Sequence, residues 1–499
     1  MTGGITRRGL MGGAAAAAAT SVFPDADAQA APVADGSVQS RSADVVVVGA
    51  GFSGLIAARE LRKAGASVMV VEARSKPGGR SQNRSIGGGE VTDLGAAFIG
   101  PTQTRMLDLV KQLGIGTFPT YNEGENVYVY QGDRQTYSGS IPPANPASLA
   151  EIAVFIERVN DIAQSIPTDR PQDAPNAAEL DATTLETYKR DNVKTPEARA
   201  LVDLFVRAVF SIEAPDPSVL FVGFYIAASG GDVNRLISTE GGAQQFRVEG
   251  GTQAIAFRLA EELGSGLITR SPVRRISATP GEVEAFSDRV NVKAKRAIVA
   301  VPPPMAARIA FDPFIPDRDT DFPFLPSPRD QLTQRMPMGS VGKIAVTYDR
   351  PFWRDKGLTG QATSDDGPCV ATFDGSPKGG SPGVMIGFFD GRDAREFDQT
   401  PSEERRRKVL DQFALFYGPE ARTPVSITEA LWDYAGYIRG GPVAYFGPGA
   451  YLAGFGDALR RPIGNVHWAG TETATTWNGY MEGAVRSGER AAKEVLAKL

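Results

Sequence analysis

The stretch from residue 44 to residue 80 constrains the fold more than any other part of the chain, because it joins a buried strand, a glycine-rich turn and a helix. The continuous apolar run at residues 45–48 is typical of a strand covered on both faces in a parallel sheet. A GxGxxG turn follows at residues 49–54 and opens a segment with helical spacing of apolar residues. A second strand is expected at residues 67–71 and ends on Glu72. This order predicts a parallel strand–helix–strand unit.

Each glycine of the turn has a mechanical reason if the unit binds a dinucleotide. Gly49 permits the tight turn, Gly51 lets the backbone approach a pyrophosphate, and Gly54 lets the helix lie close to the strand. The start of the helix offers unpaired N–H groups and a positive dipole end to the phosphates. Glu72, at the end of the second strand, is placed to accept hydrogen bonds from a ribose. A glycine-rich turn without a ligand is the alternative, but the agreement of all four elements favours dinucleotide binding.

The residues after Glu72 indicate which dinucleotide is bound. Arg74 and a glycine turn come where a nicotinamide-dependent enzyme would normally begin another helix. The run EARxxxGGR, which ends at Arg80, resembles the segment along the ribose and pyrophosphate in the flavin-dependent amine oxidase branch of FAD enzymes. The resemblance implies that FAD is the cofactor and that Arg74, Gly79 and Arg80 contact it. A basic hairpin without a ligand is the alternative.

Length and composition exclude several classes of function. A chain of 499 residues exceeds one ordinary core, so two domains are expected. The formal net charge of −5 gives no reason to expect nucleic acid or an anionic membrane as a partner, and no apolar run approaches the roughly 20 residues that span a bilayer. The single cysteine, Cys369, and the single histidine, His467, argue against a zinc site or a Cys/His hydrolase. A bound cofactor, rather than a metal, is therefore expected to carry the chemistry.

The first 30 residues have the pattern of an export signal. Arg7 and Arg8 form a twin-arginine pair, a weakly hydrophobic alanine-rich run follows, and small-residue cleavage sites precede residue 31. We interpret residues 1–30 as a twin-arginine signal peptide and residues 31–42 as a linker, which predicts a periplasmic or secreted protein that is exported already folded. A disordered alanine-rich tail is the alternative.

The alternation of patterns along the chain predicts the α/β class: an FAD-binding Rossmann-like domain, carrying the GxGxxG turn, with an interleaved α+β substrate domain. Proline-rich loops and long helical stretches distinguish the substrate segments from the glycine-marked FAD segments. The expected boundaries are residues 43–120, 237–304 and 429–499 for the FAD-binding domain, and residues 121–236 and 305–428 for the substrate domain.

Two further motifs extend the resemblance over most of residues 44–495. The segment DLGxxxxGPTQ occupies residues 93–103, and AGTETATTWNGYMEGA occupies residues 469–484. Together with the N-terminal fingerprint and a strand that carries Lys343, they identify the chain as a member of the flavin-dependent monoamine oxidase family. The resemblance implies further contacts with FAD, beneath the flavin ring, at the adenine end and at the flavin itself, from Gly95, Ala96, Val273, Gly470, Glu472, Tyr480 and Met481.

The resemblance also implies which side chains take part in catalysis. Lys343 matches the lysine that holds a water molecule at the flavin N5, and Tyr480 matches one wall of an aromatic cage that orients the amine. Trp432 is expected to back the site or the flavin ring. The alternatives are a surface lysine on a strand, a core tyrosine and a core tryptophan. Ile237 and Gln244 are expected to line the substrate cavity.

One segment departs from the family pattern. The mammalian enzymes have a cysteine and a tyrosine after a Gly-Gly pair, where the cysteine carries the flavin covalently and the tyrosine forms the second cage wall. Here Pro442 and Val443 follow the glycine pair. FAD is therefore expected to be non-covalent, since Cys369 lies in a different segment. Val443 is expected to border the substrate and to open the cage, with Tyr445 as a candidate to refill the gap.

These features predict an FAD-dependent amine oxidase that converts a primary amine to an imine, and then to an aldehyde or ketone plus ammonia, with reduction of oxygen to hydrogen peroxide. Two rivals remain: a flavin amine dehydrogenase that passes electrons to a periplasmic carrier, and a non-catalytic flavoprotein that acts as a binding module. The sequence leaves open the particular amine, the choice between primary amines, secondary amines and amino acids, and whether the protein forms a homodimer.

Overall fold

The computed structural model describes residues 38–312 and 325–499. The predicted signal peptide, residues 1–30, lies outside the described residues, as does the predicted linker up to residue 37. The strands are β1 (Gln39–Val48), β2 (Val68–Val71), β3 (Asn83–Gly87), β4 (Glu90–Asp93), β5 (Phe98–Ile99), β6 (Thr117–Pro119), β7 (Glu125–Tyr130), β8 (Asp133–Tyr137), β9 (Phe246–Val248), β10 (Leu267–Ile268), β11 (Val273–Thr279), β12 (Glu282–Ser287), β13 (Val290–Val299), β14 (Ala310–Phe311), β15 (Val341–Tyr348), β16 (Leu358–Ser364), β17 (Ala371–Asp374), β18 (Gly383–Asp390), β19 (Ser426–Leu431) and β20 (Val466–Trp468).

The α-helices occupy the connections between these strands and the long segment between β8 and β9. They are α1 (Phe52–Lys63), α2 (Thr104–Gln112), α3 (Pro146–Ser165), α4 (Ala177–Ala182), α5 (Leu185–Asn192), α6 (Pro196–Phe210), α7 (Val219–Ala228), α8 (Asn234–Ile237), α9 (Gln253–Leu263), α10 (Pro303–Ala306), α11 (Ser327–Arg335), α12 (Arg392–Gln399), α13 (Ser402–Tyr417), α14 (Gly456–Ala458) and α15 (Met481–Leu496).

The first sheet has eight strands and contains the predicted parallel unit. Its order is β10-β2-β1-β13-β12-β11-β14, and β20 also pairs with β13. β1 lies between β2 and β13 with both neighbours parallel, so that Val45 is opposite Val68 on one side and Arg296 on the other. The four valines that end β1 are almost fully buried, as the unbroken apolar run predicted. The predicted α/β class is confirmed.

The second sheet has seven strands in the order β19-β15-β18-β17-β16-β7-β8. On one side, α12 and α13 cover a core that contains Val346 and Phe413. The helices α3, α6 and α7 form a separate apolar core, in which Phe210 and Phe221 are buried. Strands of this sheet come from two stretches of chain, before and after the middle part of the first sheet, so the two sheets alternate along the sequence.

Three boundaries differ from the sequence-based expectation. β1 begins at Gln39, where it pairs with Val290, so residues 39–42 extend the sheet and are not linker. β14 pairs with β11 in the first sheet, although the expected boundary at residue 304 assigned it to the substrate domain. β19 pairs with β15 and crosses the expected boundary at residue 428. Polar, exposed strand ends and two-residue strands carry no apolar periodicity, so pairing alone reveals them.

The described residues contain neither a membrane-spanning helix nor a metal-binding cluster of side chains. None of the helices in residues 38–312 and 325–499 combines the length and the apolar character that a membrane crossing requires. Over the same ranges, no cluster of three or more His, Cys, Asp or Glu side chains is arranged to hold a metal ion.

A buried ion cluster ties α13 to the edge of the second sheet. Glu429, on β19, accepts from Arg405 Nη2 at 2.7 Å and from Arg406 Nε at 2.9 Å. The side chains of Glu429 and Arg405 are 1% and 5% exposed. Because β19 pairs with β15, this cluster supports the strand that carries Lys343.

We expect Glu429→Ala to lower the free energy of unfolding by about 3 kcal/mol or more, because the change leaves the buried guanidinium group of Arg405 without its counter-ion. Urea titration of the cofactor-loaded protein measures the effect. Arg407→Ala serves as the control: Arg407 lies on the same helix but pairs with Asp411 at the surface, and its loss should cost under about 1 kcal/mol. Equal effects of the two substitutions would contradict the assigned role of the cluster.

Candidate active site

The glycine turn after β1 has the geometry that the sequence predicted. Gly49 has a φ of +102°, and a Cβ there would meet the carbonyl oxygen of Ala300 at 2.9 Å. A Cβ on Gly54 would meet the carbonyl oxygen of Gly49 at 2.0 Å, so only glycine allows α1 to start this close to β1. Gly51 precedes α1, and no side chain caps the helix start. The first N–H groups of α1 are therefore available to a ligand.

Glu72 ends β2 beside this turn and is held by two backbone groups. Its carboxylate accepts from the N–H of Ala50 at 2.6 Å and from the N–H of Arg74 at 2.8 Å. Burial raises the pKa of Glu72, and the two N–H groups oppose that effect. The Arg74 side chain donates to the carbonyl oxygen of Gly79 at 3.1 Å, which fixes the second glycine turn. A Cβ on Gly79 would lie 3.2 Å from the Cα of Gly51, so the two glycine turns face each other closely.

Arg80 joins three separate parts of the chain. Its guanidinium group donates to both carboxylate oxygens of Glu472, at 2.6 and 3.0 Å, and to the carbonyl oxygen of Pro442 at 2.7 Å. The Glu472 side chain is 1% exposed and lies behind Arg80, so any influence of Glu472 on a ligand passes through Arg80.

Two cavities meet at this junction. The smaller, of about 190 Å³, is bordered by the glycine turns, Glu72 and Arg74. The larger, of about 760 Å³, extends between the second sheet and the helices α6 and α7. Among the described residues, both cavities are bordered by Arg80, Ala96, Tyr480 and Met481.

Most of the site residues expected from the sequence border one or both cavities. At the smaller cavity are Gly49, Gly51, Glu72, Arg74, Gly79, Val273 and Gly470. At the larger cavity are Gly95, Ile237, Gln244, Lys343 and Trp432. Gly54 and Glu472 border neither cavity. Gly54 lies beneath the glycine turn at residues 49–54, and Glu472 lies behind Arg80.

Lys343 lies on β15 with its side chain directed into the larger cavity. Its Nζ donates to the carbonyl oxygen of Gly95 at 2.9 Å and lies 5.0 Å from the centre of the Phe388 ring. Burial lowers the pKa of Lys343 to about 7, while the nearby Asp93 carboxylate acts in the opposite direction and Arg247 reinforces the effect of burial. The alternative of a surface lysine does not hold, because this residue is only 2% exposed.

Asp93 and Arg247 form a buried charged pair behind Lys343. Arg247 Nη2 lies 3.6 Å from Asp93 Oδ2, and the N–H of Thr252 donates to Asp93 Oδ1 at 2.8 Å. Burial raises the pKa of Asp93, and the cations Arg247 and Lys343 oppose that effect. Asp93 opens the DLG segment quoted above, so its presence was visible in the sequence, but its pairing with Arg247 was not.

Tyr480 stands at the junction of the cavities, next to two other aromatic rings. Its ring centre lies 5.9 Å from that of Tyr225 and 4.8 Å from that of Trp477. Burial raises the pKa of Tyr480 above its usual range. Tyr225 also borders the larger cavity, and it was missed because it lies on α7, whose continuous apolar sequence reads as core.

The expectation for Val443 was wrong. Val443 is fully buried in the helical core and borders neither cavity in the described part of the chain, whereas its neighbour Pro442 borders the larger one. The N–H of Gly339 donates to the Val443 carbonyl oxygen, and the Val443 side chain packs in the same core as Ala444 and Phe446. Tyr445 packs against the same core and does not refill the predicted gap.

The remaining predicted residues take fixed positions around the larger cavity. Trp432 Nε1 donates to the carbonyl oxygen of Leu94 at 2.9 Å, which anchors the indole beside the DLG segment. Gln244 Nε2 donates to the carbonyl oxygen of Leu236 at 2.9 Å, while its Oε1 is buried without a hydrogen-bond partner.

The cavities fit FAD on the basis of their own geometry. The uncapped start of α1 suits a pyrophosphate, and the close glycine turns leave space that a side chain would fill. The start of α15, next to Tyr480, likewise has no side-chain cap, and Met481 places it at the shared junction. A positive helix end there suits the electron-rich end of a flavin.

Comparison with known proteins gives the same assignment. The family model described as flavin containing amine oxidoreductase matches residues 52–496, and a pyridine nucleotide-disulphide oxidoreductase model matches residues 4–89. The flavin-containing monoamine oxidase AofH of Mycobacterium tuberculosis is 42% identical over 91% of this chain and 97% of its own length. The amine oxidase B of Homo sapiens is 36% identical over 92% of this chain and 86% of its own.

Solved structures with the same fold include two amine oxidases. Putrescine oxidase bound to putrescine has a TM-score of 0.86 and 32% identity, over 92% of this chain and all of that one. Cyclohexylamine oxidase from Brevibacterium oxydans has a TM-score of 0.85 and 32% identity, over 91% and 99% of the two chains. The chain therefore belongs to the family of flavin-containing amine oxidoreductases, and it is an FAD-dependent amine oxidase.

Proposed function

We propose that this enzyme oxidises a primary amine at the carbon next to nitrogen, at the junction where Lys343 and Tyr480 face the same cavity. The observation that carries the proposal is this juxtaposition, since Lys343 on β15 of the second sheet and Tyr480 directly before α15 border the same cavity. The imine product then hydrolyses to an aldehyde or ketone plus ammonia. Two solved relatives are named for the primary amines putrescine and cyclohexylamine, which supports this substrate class.

Bound FAD would supply the redox chemistry, namely acceptance of a hydride from the amine and transfer of two electrons to oxygen to give hydrogen peroxide. The protein contributes position and charge. Tyr480 and Tyr225 offer ring faces that guide an amine to the junction, and Trp432 holds the wall behind it. Lys343 places a buried donor beside the carbonyl of Gly95, where it orients a water molecule and stabilises negative charge that develops on oxygen.

We also propose that FAD is held without a covalent bond. Cys369, the single cysteine of the chain, is fully buried in the core of the second sheet and borders neither cavity. Burial raises the pKa of its thiol well above the usual range, so the thiolate needed for attack is disfavoured. Arg80, Glu72 and the glycine turns supply the non-covalent contacts instead.

Export by the twin-arginine route forms part of the same proposal. Arg7 and Arg8 support it, as does the need of a flavoprotein to fold around its cofactor before it leaves the cytoplasm. Replacing both arginines by lysine should keep the protein in the cytoplasm, as cell fractionation would show. A homodimer stays a prediction.

The function as a whole is tested by a peroxide assay over aliphatic and aromatic primary amines, with anaerobic mixing as a second measurement. We expect peroxide with at least one amine and anaerobic loss of the oxidised flavin absorbance with the same amine. Anaerobic loss of absorbance without peroxide would instead favour the dehydrogenase, and no change with any amine would favour the binding module.

Lys343→Met should slow the reaction with oxygen by about a hundredfold. The methionine side chain has a similar length and keeps the apolar stem, but it lacks the buried ammonium donor. The measurement is kcat/KM for oxygen, with the anaerobic amine step recorded separately and expected to change far less. Lys293→Met, at a position whose side chain is 57% exposed, is the matched control. An oxygen reaction of normal speed in Lys343→Met would refute the role of Lys343.

Tyr480→Leu should lower kcat/KM for amines by about tenfold, whereas Tyr480→Phe should stay within a few fold of the wild type. The reason is that the ring face, rather than the hydroxyl group, guides the amine. FAD content is measured in both variants, because Tyr480 also precedes α15. Similar losses in the two variants would show that the hydroxyl group matters instead.

Denaturation with acid should release all of the FAD into the supernatant, since no thiol is within reach of the flavin. Cys369→Ala should bind the same amount of FAD per chain as the wild type. Yellow colour that stays with the denatured protein, and that Cys369→Ala abolishes, would overturn the non-covalent assignment.

A further inference from the structure

The larger cavity is mainly apolar, but four charged residues border it in the described part of the chain. Arg80 and Lys343 lie at the flavin junction, and Arg80 is already paired with Glu472. The other two are acids: Glu240 is exposed, whereas Asp390 is 2% exposed. Asp390 is therefore a buried carboxylate in the wall of the substrate cavity.

The register of the second sheet places Asp390 close to the reacting centre. On β18, Phe388 is opposite Lys343, and Asp390 is opposite Val341. Residues two apart on a strand share a face, so Asp390 lies on the same face as Phe388, about 7 Å further along the strand. The carboxylate stands one row of side chains beyond the lysine that marks the flavin junction.

Asp390 differs from the other buried carboxylates of the described residues in the group that donates a hydrogen bond to it. Each of the others accepts from a backbone N–H group or pairs with a cation, as Glu72, Glu472 and Glu482 do. Asp390 accepts from the hydroxyl group of Ser211, with a distance of 2.6 Å between the oxygens, and from nothing stronger. The remaining members of the set are Asp93, Asp181, Asp374 and Glu429.

The nearby cation does not neutralise Asp390. Arg207 acts on it electrostatically, but the guanidinium group donates to Asp393 at 2.8 Å. Burial raises the pKa of Asp390 to about 8, which is the behaviour of an acid whose charge lacks compensation. A buried carboxylate of this kind costs free energy unless a cation arrives to pair with it.

We propose that Asp390 binds the second, distal ammonium group of a diamine whose first amine reacts at the Lys343 and Tyr480 junction. The inference rests on the proposed amine oxidation and adds the substrate class: a short alkyl chain with an amine at each end. The wall between the two points supports an alkyl linker, because Phe388, Val341 and Ala208 border the cavity there. The Ser211 hydroxyl group, which also borders the cavity, donates to Asp390 Oδ1 and holds the carboxylate in place.

The test compares straight-chain monoamines with α,ω-diamines of the same carbon number, because the pair differs only in the distal ammonium group. In the wild type we expect a higher kcat/KM for the diamine. Asp390→Asn should lower the diamine value by about tenfold or more, through loss of a charge-assisted hydrogen bond, and leave the monoamine value within about threefold. Glu240→Gln, the control at the exposed acid, should preserve the diamine preference.

Each other outcome is decisive. Monoamine oxidation without a diamine advantage in the wild type, or a diamine advantage that Asp390→Asn retains, overturns the site but leaves the proposed function intact. Loss of the preference in Glu240→Gln alone places recognition at the exposed acid and also overturns it. Oxidation of neither amine contradicts the proposed function, and the site falls with it.

Asp390→Asn is expected to fold, because the amide is isosteric with the protonated acid and its oxygen still accepts from Ser211. Equal FAD content and an unchanged melting temperature would verify this.

A second readout separates binding from structure. The ratio of diamine to monoamine kcat/KM should fall as pH drops through about 8 in the wild type, because a protonated Asp390 cannot pair with the distal ammonium group. The other titratable or charged groups in this region are Arg207, Asp393 and Cys369, and Lys343 one row of side chains away; Lys343 titrates near the same pH but acts on both amines, so the ratio removes its effect. A pH profile of the ratio that is identical in Asp390→Asn would contradict the assignment.

Discussion

The ion pair between Arg80 and Glu472 is the contact on which the site depends. It joins the glycine turn that follows the first two strands to the segment before the last helix, although 392 positions separate the two residues. Arg80 also donates to the carbonyl oxygen of Pro442, so three stretches of chain converge at one guanidinium group. Since Glu472 is buried and ionic, loss of either partner would leave an uncompensated charge. The position of the flavin junction is thus set by electrostatics as well as by packing.

The two sheets supply different parts of the reaction centre. The first sheet and α1 present backbone N–H groups and a carboxylate, which suit the nucleotide end of FAD. The second sheet presents side chains from its strand faces: Lys343 and Phe388 lie opposite each other in one row, and Asp390 lies in the next row on the same face. A sheet face holds such groups at fixed spacing, so it keeps the Lys343 ammonium group and the Asp390 carboxyl group at a set separation.

Sequence was sufficient where the signal is local. The strand, the glycine turn and the acid at Glu72 follow within a short stretch. Their geometry matches the expectation, because Gly49 has a positive φ and a Cβ on Gly54 would clash with the carbonyl oxygen of Gly49. Lys343 was identified by resemblance, and the structure shows it buried at the larger cavity. The α/β class also followed from alternation along the chain.

Sequence was insufficient where burial depends on distant partners. Asp390 looks like a polar strand end until Ser211, 179 positions earlier, packs against it. Tyr225 is indistinguishable from its apolar neighbours on α7. Val443 was expected to face the substrate, but it packs in the helical core, whereas its neighbour Pro442 borders the larger cavity. The polar start of β1 carries no periodic signal and is a strand because β13 pairs with it.

The interleaved connectivity has a consequence for how the protein is made. β1 pairs with β13, and β13 pairs with β20. Strands that are adjacent in the first sheet are therefore synthesised at widely separated times during translation. The ribosome must release β20, Glu472 and α15 before Arg80 gains its partner and the flavin junction closes. The two partners of this ion pair therefore meet only after almost the whole chain has been made, and a chain that stopped before Glu472 would have the glycine turn but not the acid that holds Arg80.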